Sequence, residues 1–257
     1  MAPVTAFETG TNIWRKLHAW PPSGKDGPRK LYLQPNGGLA FTVPPESDTN
    51  YTAYVADPAH PVPYRDRPIA TVDPLQTDQW QTWLVADQRN AESRPDVLTY
   101  RSAVLPAPLR LSGKPIANIV ATTTGSDGDF VVKLIDVYPD EVGRDAKMGG
   151  YQLMVSADIL RGRYRQSFEN PAPIPSGEKQ VFKFSLPNLN HVFLPGHRVM
   201  VQIQSSWFPL YDRNPQTYVD NIMFAKPGDY RPATISVYDG GKDASFVELP
   251  AVPMPPP

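Results

Sequence analysis

Two adjacent hydroxyls, Ser205 and Ser206, share a short stretch of chain with His191, His197 and Asp212. These are the residue types of acyl transfer, in which a serine attacks a carbonyl while an imidazole takes its proton and a carboxylate orients the imidazole. Such a site is defined by geometry in space, and nearness along the chain says little about it. Ser205 and Ser206 follow an alternating segment that reads as a strand, where a serine ordinarily caps or ends the strand. His191 and His197 flank Pro195-Gly196, a turn beside which imidazoles ordinarily bond to backbone. The structural reading is preferred, and no residue is assigned a catalytic role.

Metal chemistry finds no better footing. His191 and His197 are six residues apart across that turn, and His18 and His60 fall in unrelated loops, so the helical or hairpin spacing of zinc ligands is missing. Asp127-Gly128-Asp129 resembles the opening of a calcium loop, without the ordered acidic series or the distal glutamate. A tight turn is the expected role, with calcium as the alternative left open. No metal and no cofactor are expected.

Function is best sought in Trp207-Phe208-Pro209-Leu210-Tyr211 and the polar Asp212-Arg213-Asn214 that follows. Aromatic groups beyond a strand end line pockets and interfaces, and they serve equally well to close the end of a core. Trp207, Phe208, Tyr211, Arg213 and Asn214 are therefore the candidate substrate-pocket or domain-interface residues. Asp136 interrupts an apolar strand while Arg161, Arg163 and Arg165 alternate further on, so a structural carboxylate–guanidinium pair is expected within the sheet. Trp14, Trp20, Trp80 and Trp83 read either as core anchors or as a carbohydrate-stacking platform.

The elements that must position these groups read as strands. Residues 116–124 and 130–137 are rich in β-branched side chains, and the link Gly125-Ser-Asp-Gly-Asp129 is turn chemistry, so the two are expected to form a hairpin. In Arg198–Gln204, Val199, Val201 and Ile203 share one face and Met200, Gln202 and Gln204 the other, the pattern of a half-buried strand. Phe182, Phe184 and Leu186 alternate with Val181, Lys183 and Ser185 in the same way. Further strands are expected at 4–7, 13–17, 30–33, 39–43, 97–102, 151–155, 233–238 and 246–249, with short helical turns only within 75–86 or 157–162. The region 44–94 reads as a long loop excursion, rich in Asp and Pro and ordered against another domain. The ending Val252-Pro-Met-Pro-Pro-Pro257 reads as a disordered proline-rich tail. The sum is one all-β domain over 1–251, a jelly-roll β-sandwich of the galactose-binding-like type with long irregular loops.

Composition narrows the partners. The 257 residues carry 25 Lys and Arg against 26 Asp and Glu with no basic run, so nucleic acid is not an expected partner. No apolar run approaches the roughly 20 residues of a membrane span, and the start lacks the features of a signal peptide, so no membrane association is expected. With no cysteine, disulfides and thiolate metal sites are excluded, and cytoplasm and periplasm both stay open. Proline, at 31 residues, exceeds the average share of roughly 5% and favours strands between punctuated loops.

The stretch Val181-Phe-Lys-Phe-Ser-Leu-Pro-Asn-Leu-Asn-His-Val-Phe-Leu-Pro-Gly-His-Arg-Val-Met-Val-Gln-Ile-Gln-Ser-Ser-Trp-Phe-Pro-Leu-Tyr-Asp-Arg-Asn214 resembles the C-terminal domain of the CocE/NonD and X-Pro dipeptidyl-peptidase family of serine hydrolases. Phe7-Glu-Thr-Gly-Thr-Asn-Ile-Trp14, Tyr54-Val-Ala-Asp-Pro-Ala-His-Pro-Val-Pro63, Asp87-Gln88, Arg94-Pro-Asp-Val-Leu-Thr-Tyr100 and Lys133-Leu-Ile-Asp-Val-Tyr-Pro139 agree with it in order. Within the family these look most like α-amino acid ester hydrolases and glutaryl-cephalosporin acylases. The resemblance implies an α/β-hydrolase catalytic domain as partner, with the nucleophile in G-x-S-x-G, a pentapeptide that does not occur in this sequence. The chain then reads as a fragment or separately encoded portion of an enzyme. It would be inactive alone, would support the catalytic domain and its pocket, and would take part in homo-oligomer contacts. The alternative is a free-standing carbohydrate- or ligand-binding module that uses Trp207.

Overall fold

The computed structural model describes residues 3–22, 27–46, 49–65, 82–143 and 145–254. In chain order the strands are β1 (Val4–Glu8), β2 (Ile13–Leu17), β3 (Arg29–Gln34), β4 (Gly38–Ala40), β5 (Tyr51–Ala56), β6 (Val97–Ser102), β7 (Leu109–Gly113), β8 (Ile116–Thr123), β9 (Asp129–Val137), β10 (Gln152–Arg161), β11 (Gln180–Ser185), β12 (Leu189–Phe193), β13 (Arg198–Gln204), β14 (Ala233–Tyr238) and β15 (Phe246–Leu249). Among the described residues helix is confined to short turns, the α-helical one being α1 (Arg89–Glu92).

The large sheet follows one path, β10-β9-β13-β6-β4-β3-β15-β8-β14-β5, with β11 on the free side of β8, and β7 pairs with β12 apart from it. β4 is the joint: it runs antiparallel to β3 and parallel to β6. The two halves of the path face each other across one core. Phe130, Val132 and Leu134 of β9 and Val199, Val201 and Ile203 of β13 cluster with Ile119 of β8, Ile235 of β14, Val247 of β15 and Leu31 and Leu33 of β3. Phe130 stacks on Phe182 of β11 with ring centroids 3.9 Å apart. Each such aliphatic or aromatic side chain contributes about 1.5–3 kcal/mol by leaving water, which explains why apolar alternation determines which strands meet. The sandwich expected from the alternation is the fold observed.

β8 has the expected period, with Ala117, Ile119, Ala121 and Thr123 buried. Its neighbour on one side changes midway, from β15 at 116–118 to β14 at 121–123. Ser245 fills the gap between them: its Oγ accepts from Val120 N at 2.9 Å and donates to Val120 O at 3.3 Å.

Five expectations require correction. β8 and β9 do not form a hairpin: β9 pairs with β10 and β13, β8 with β11, β14 and β15. Residues 125–128 cross between layers because their backbone is claimed elsewhere, Ser126 N and Asp127 N donating to Gln216 O at 3.1 and 3.4 Å. β13 is not half-buried: Met200, Gln202 and Gln204 are as covered as the opposite face, because Met154 packs on Met200, Gln202 Nε2 reaches Gln88 O and Gln204 Nε2 reaches Ser206 O. Residues 157–161 continue β10 rather than turning into helix, and the one-turn 3-10 helix begins at Gly162. The excursion 44–94 contains β5, which pairs along its length with β14, and the turns Thr82–Val85 and Arg89–Glu92. Within the expected tail, Val252 N donates to Arg110 O at 3.0 Å and Arg110 Nη1 donates to Pro253 O at 3.2 Å, which ties its first residues to β7; 255–257 lie outside the described residues.

β1 and β2 form a separate hairpin docked on β12. Gly10, at φ +86°, lies against that strand so closely that a Cβ would stand 2.1 Å from Val192 O. Glu8, fully buried, anchors the hairpin: Arg110 Nε donates to it at 2.5 Å and Arg15 Nη2 at 2.9 Å. Burial pushes the Glu8 carboxyl up, but hydrogen bonds from Thr11, Arg110 and Arg15 outweigh it and hold the group below the ordinary glutamate value.

Candidate functional site

The serines and histidines that could have formed a catalytic set are held apart. Ser205 Oγ and Tyr54 OH form a buried pair at 2.6 Å, and Ser206 Oγ accepts from Val62 N at 2.8 Å. The imidazoles belong to Asp136: His191 Nε2 lies 3.1 Å from one carboxylate oxygen and His197 Nδ1 2.8 Å from the other. His191 Nδ1 meets Thr9 Oγ1 of the hairpin at 2.8 Å. Burial drives the Asp136 carboxyl up, yet the hydrogen bonds from His191 and His197 prevail and keep it below the ordinary aspartate value. Asp212 is exposed at the surface. This clamp ties β9, β12, the start of β13 and the hairpin together.

Asp136 therefore does not pair with the arginines, contrary to expectation. It points into the sandwich at the far end of β9, whereas the arginines gather at the near end. Arg163 places Nε and Nη2 on Asp127 Oδ2 at 2.8 and 2.6 Å, both residues buried. Arg161 Nε is 3.4 Å from Asp129 Oδ1, which also accepts from Asn214 Nδ2 at 2.7 Å. Arg165 instead donates to Gln180 and to the carbonyls of Gly162, Ala172 and Pro173. Burial pushes Asp129 up to about 7, with Arg161 and Asn214 pulling the other way. The carboxylates of Asp127-Gly128-Asp129 are thus claimed by guanidinium groups and an amide. Among the described residues, no three His, Asp or Glu side chains gather as a metal site.

The five singled-out residues lie along one segment with different exposures. Trp207, only 4% exposed, packs edge-on against Trp83 at 5.7 Å, and Trp83 meets Tyr64 at 5.4 Å. The Trp207 ring is therefore closed to a sugar. Tyr211 stacks on Trp207 at 6.2 Å and is 37% exposed. The backbone of Phe208 is fixed from both sides, its N donating to Val62 O at 2.9 Å and its O accepting from Tyr64 N at 3.0 Å. Arg213 lies 5.6 Å from the Phe208 ring and 5.2 Å from the Tyr230 ring, and its Nη1 donates to Pro58 O at 2.9 Å. Asn214 is buried, where its Oδ1 accepts from Gln216 N at 2.8 Å. Trp14, in contrast, is exposed on the hairpin, Trp20 is half-buried, and Trp80 lies outside the described residues.

Sequence reasoning passed over Lys133. It sits on the outer face of β9 level with Gln202 and is 1% exposed. Its Nζ donates to Gln88 Oε1 at 2.9 Å and stands 5.3 Å from the Trp207 ring. Burial alone pulls the amine down to about 7. The available signal was one lysine inside the apolar run 130–137. Gln88 is the corresponding peg of the covering segment: its N donates to Gln152 O at 3.1 Å and its O accepts from Gln202 Nε2 at 3.4 Å. A cleft of about 560 Å³ opens beside it, lined by Tyr64, Trp83, Asp87, Gln88, Arg94 and Tyr151. Its polar wall is structural, since Arg94 donates to Asp96 at 2.8 and 2.7 Å and Asp87 pairs with Arg89.

Comparison with known proteins completes the picture. Residues 2–248 match the family described as X-Pro dipeptidyl-peptidase C-terminal non-catalytic domain. Among curated relatives, the cocaine esterase of Rhodococcus sp. is 34% identical over 221 residues, which is 83% of this chain and 36% of that protein. An α-amino acid ester hydrolase structure superposes with a TM-score of 0.92 at 52% identity, covering 97% of this chain and 41% of the other. An aminopeptidase from a marine sediment Thaumarchaeota archaeon superposes with a TM-score of 0.92 at 47% identity, over 97% and 40% of the two chains. This chain thus spans well under half the length of each of these three relatives. On the sandwich, the signature segments and a match covering nearly all its length, the chain belongs to the family of X-Pro dipeptidyl-peptidase C-terminal non-catalytic domains.

Proposed function

We propose that this chain is the non-catalytic β-sandwich unit of a larger serine hydrolase of the acylase, ester hydrolase or dipeptidyl-peptidase type. Its partner is an α/β-hydrolase unit that carries the nucleophile. There a serine attacks the acyl carbon of an ester or amide, the oxyanion is stabilised, and the acyl-enzyme is hydrolysed. The sandwich over 1–251 buttresses that unit and helps to wall its substrate pocket. The match of residues 2–248 to a family described as non-catalytic carries this reading. It is supported by the pairing of Ser205 with Tyr54 and of both imidazoles with Asp136, which leaves neither serine a base. Within the singled-out segment, Tyr211 reaches the partner, while Trp207, Phe208, Arg213 and Asn214 set the course of the loop that presents it.

The test is to incubate the purified chain with p-nitrophenyl esters and α-amino acid esters. Hydrolysis at the buffer rate is expected. Turnover abolished by Ser205→Ala or Ser206→Ala would overturn the proposal.

A further inference from the structure

The turn between β3 and β4 needs two residues that are chemically labile side by side. Asn36-Gly37, the one Asn-Gly pair in the sequence, lies in the turn Pro35–Gly37, across which Gln34 pairs with Gly38. Asn36 is exposed and takes φ +62° and ψ +27°, the left-handed region that asparagine enters more readily than most residues. Gly37 follows at φ +75°, and a Cβ on it would stand 3.0 Å from Thr99 O of β6, so backbone and space together select glycine. Gln34 Nε2 closes the base of the turn by donating to Thr42 O at 2.7 Å.

An asparagine carboxamide followed by a peptide nitrogen with no side chain beside it can cyclise. The Gly37 nitrogen, on losing its proton to solvent base, attacks Cγ of Asn36; the new C–N bond closes a succinimide, the Cγ–Nδ2 bond breaks, and ammonia leaves. Water then opens the ring. Cleavage at Cγ gives aspartate on an unchanged backbone, and cleavage at the main-chain carbonyl gives isoaspartate, in which the chain runs through the side-chain methylene. The net change is amide plus water to carboxylate plus ammonium. The native turn withholds this reaction. Cβ is offset from the backbone nitrogen by a third of a revolution about the Cα–C bond, so at ψ +27° the Gly37 nitrogen stands nearly opposite Cβ, out of reach of Cγ. Ring closure requires ψ to swing until the two are eclipsed, which carries Gly37 and the start of β4 out of place.

We propose that Asn36 is a site of spontaneous conversion to aspartate and isoaspartate, gated by the opening of β4, and that the isoaspartate product keeps β4 from pairing again. The topology gives the consequence. β4 is three residues long and links β3 to β6, and with them the two halves of the large sheet. Its Leu39 is buried in the shared core. An isoaspartyl linkage lengthens the turn by one backbone atom, so the register to β3, the register to β6 and the seat of Leu39 are not all regained. Aspartate at the same position adds the same charge and leaves the turn its length.

The experiment incubates the purified chain in warm, mildly alkaline buffer, folded and unfolded in urea. Peptide mapping by mass spectrometry follows the exchange of amide for carboxylate at each asparagine, and enzymatic methylation of isoaspartate identifies that product. Asn36 is expected to convert before the other asparagines, and about tenfold or more faster in the unfolded chain, as befits a step that waits on local opening. The isoaspartate form, separated by chromatography, should melt below fresh protein, whereas Asn36→Asp should melt close to it. Conversion at Asn36 no faster than at the exposed Asn221, whose neighbour is Ile222, would overturn the proposal. Equal rates in the folded and unfolded chain would overturn the gating, and an isoaspartate form that melts with fresh protein would overturn the release of β4.

Discussion

Replacing Lys133 by methionine should stabilise the protein at neutral pH and destabilise it at high pH. The amine is 1% exposed with one hydrogen-bond acceptor, Gln88 Oε1, and no carboxylate bonded to it. Its pKa falls from 10.5 to about 7 on folding through burial alone. A group whose folded pKa is depressed contributes full stability above its unfolded pKa and loses it as pH falls toward the folded value. The window here is therefore pH 7 to 10.5, with a slope of about 1.4 kcal/mol per pH unit. Across it the lysine costs on the order of 5 kcal/mol at neutral pH. Methionine keeps the stem and its volume but leaves Gln88 Oε1 without a donor, a loss of about 1–3 kcal/mol. The difference is a net gain on the order of 2–4 kcal/mol at pH 7, reversing sign before pH 10.5. Urea unfolding followed by tryptophan fluorescence measures it, with Trp207 as a local reporter. A Lys133→Met protein less stable than wild type at pH 7, or a difference flat from pH 7 to 10, would refute the reasoning.

Three further outcomes follow from the buried charges and the close backbone approach. Asp136→Ala should cost about 3–5 kcal/mol at pH 7, because His191 and His197 lose their shared carboxylate. Since the Asp136 pKa is depressed, its contribution is present above the ordinary value of 3.8 and fades as pH falls below it, so the melting difference between Asp136→Ala and wild type should be smaller at pH 3 than at pH 7. Asp129 is the opposite case: raised from 3.8 to about 7, it loses stability as pH rises through that window, so urea midpoints of Asp129→Asn should gain on wild type between those values. Gly10→Ala should destabilise by about 1–3 kcal/mol, since it combines a left-handed backbone with a Cβ driven into Val192 O; amide exchange should quicken in β1 and β2 before the core.

The strands whose periodicity is decided by one core could be read from the chain. β6, β14 and β15 begin and end where the alternation says, and Val199, Val201 and Ile203 face inward as expected. What could not be read depends on contacts between distant segments. The turn residues at 125–128 suit a hairpin as well as a crossover, and only their bonds to Gln216 decide between them. Gln202 and Gln204 look like a solvent face because no local signal shows that Gln88 and the backbone of Ser206 will meet them. β5 buries only Tyr54 and Ala56, too weak a pattern to stand out among its polar and proline neighbours. For the candidate site, the aromatic segment was visible, but that Trp207 turns inward and Tyr211 outward was not. Asp136 was marked as an anomaly in an apolar strand, yet its partners come from β12 and the approach to β13, far along the chain.

One guanidinium, that of Arg110, grips Glu8 near the first strand and the carbonyl of Pro253 beyond the last. The end of the first strand and the stretch beyond the last are thereby side by side, so entry and exit of the sandwich lie within about one strand length of each other, like the two holes of a bead bored close together. A bridge from beyond Pro253 back along β1 to Val4, with the chain reopened at the exposed turn around Glu178, would preserve every strand pairing in circularly permuted form.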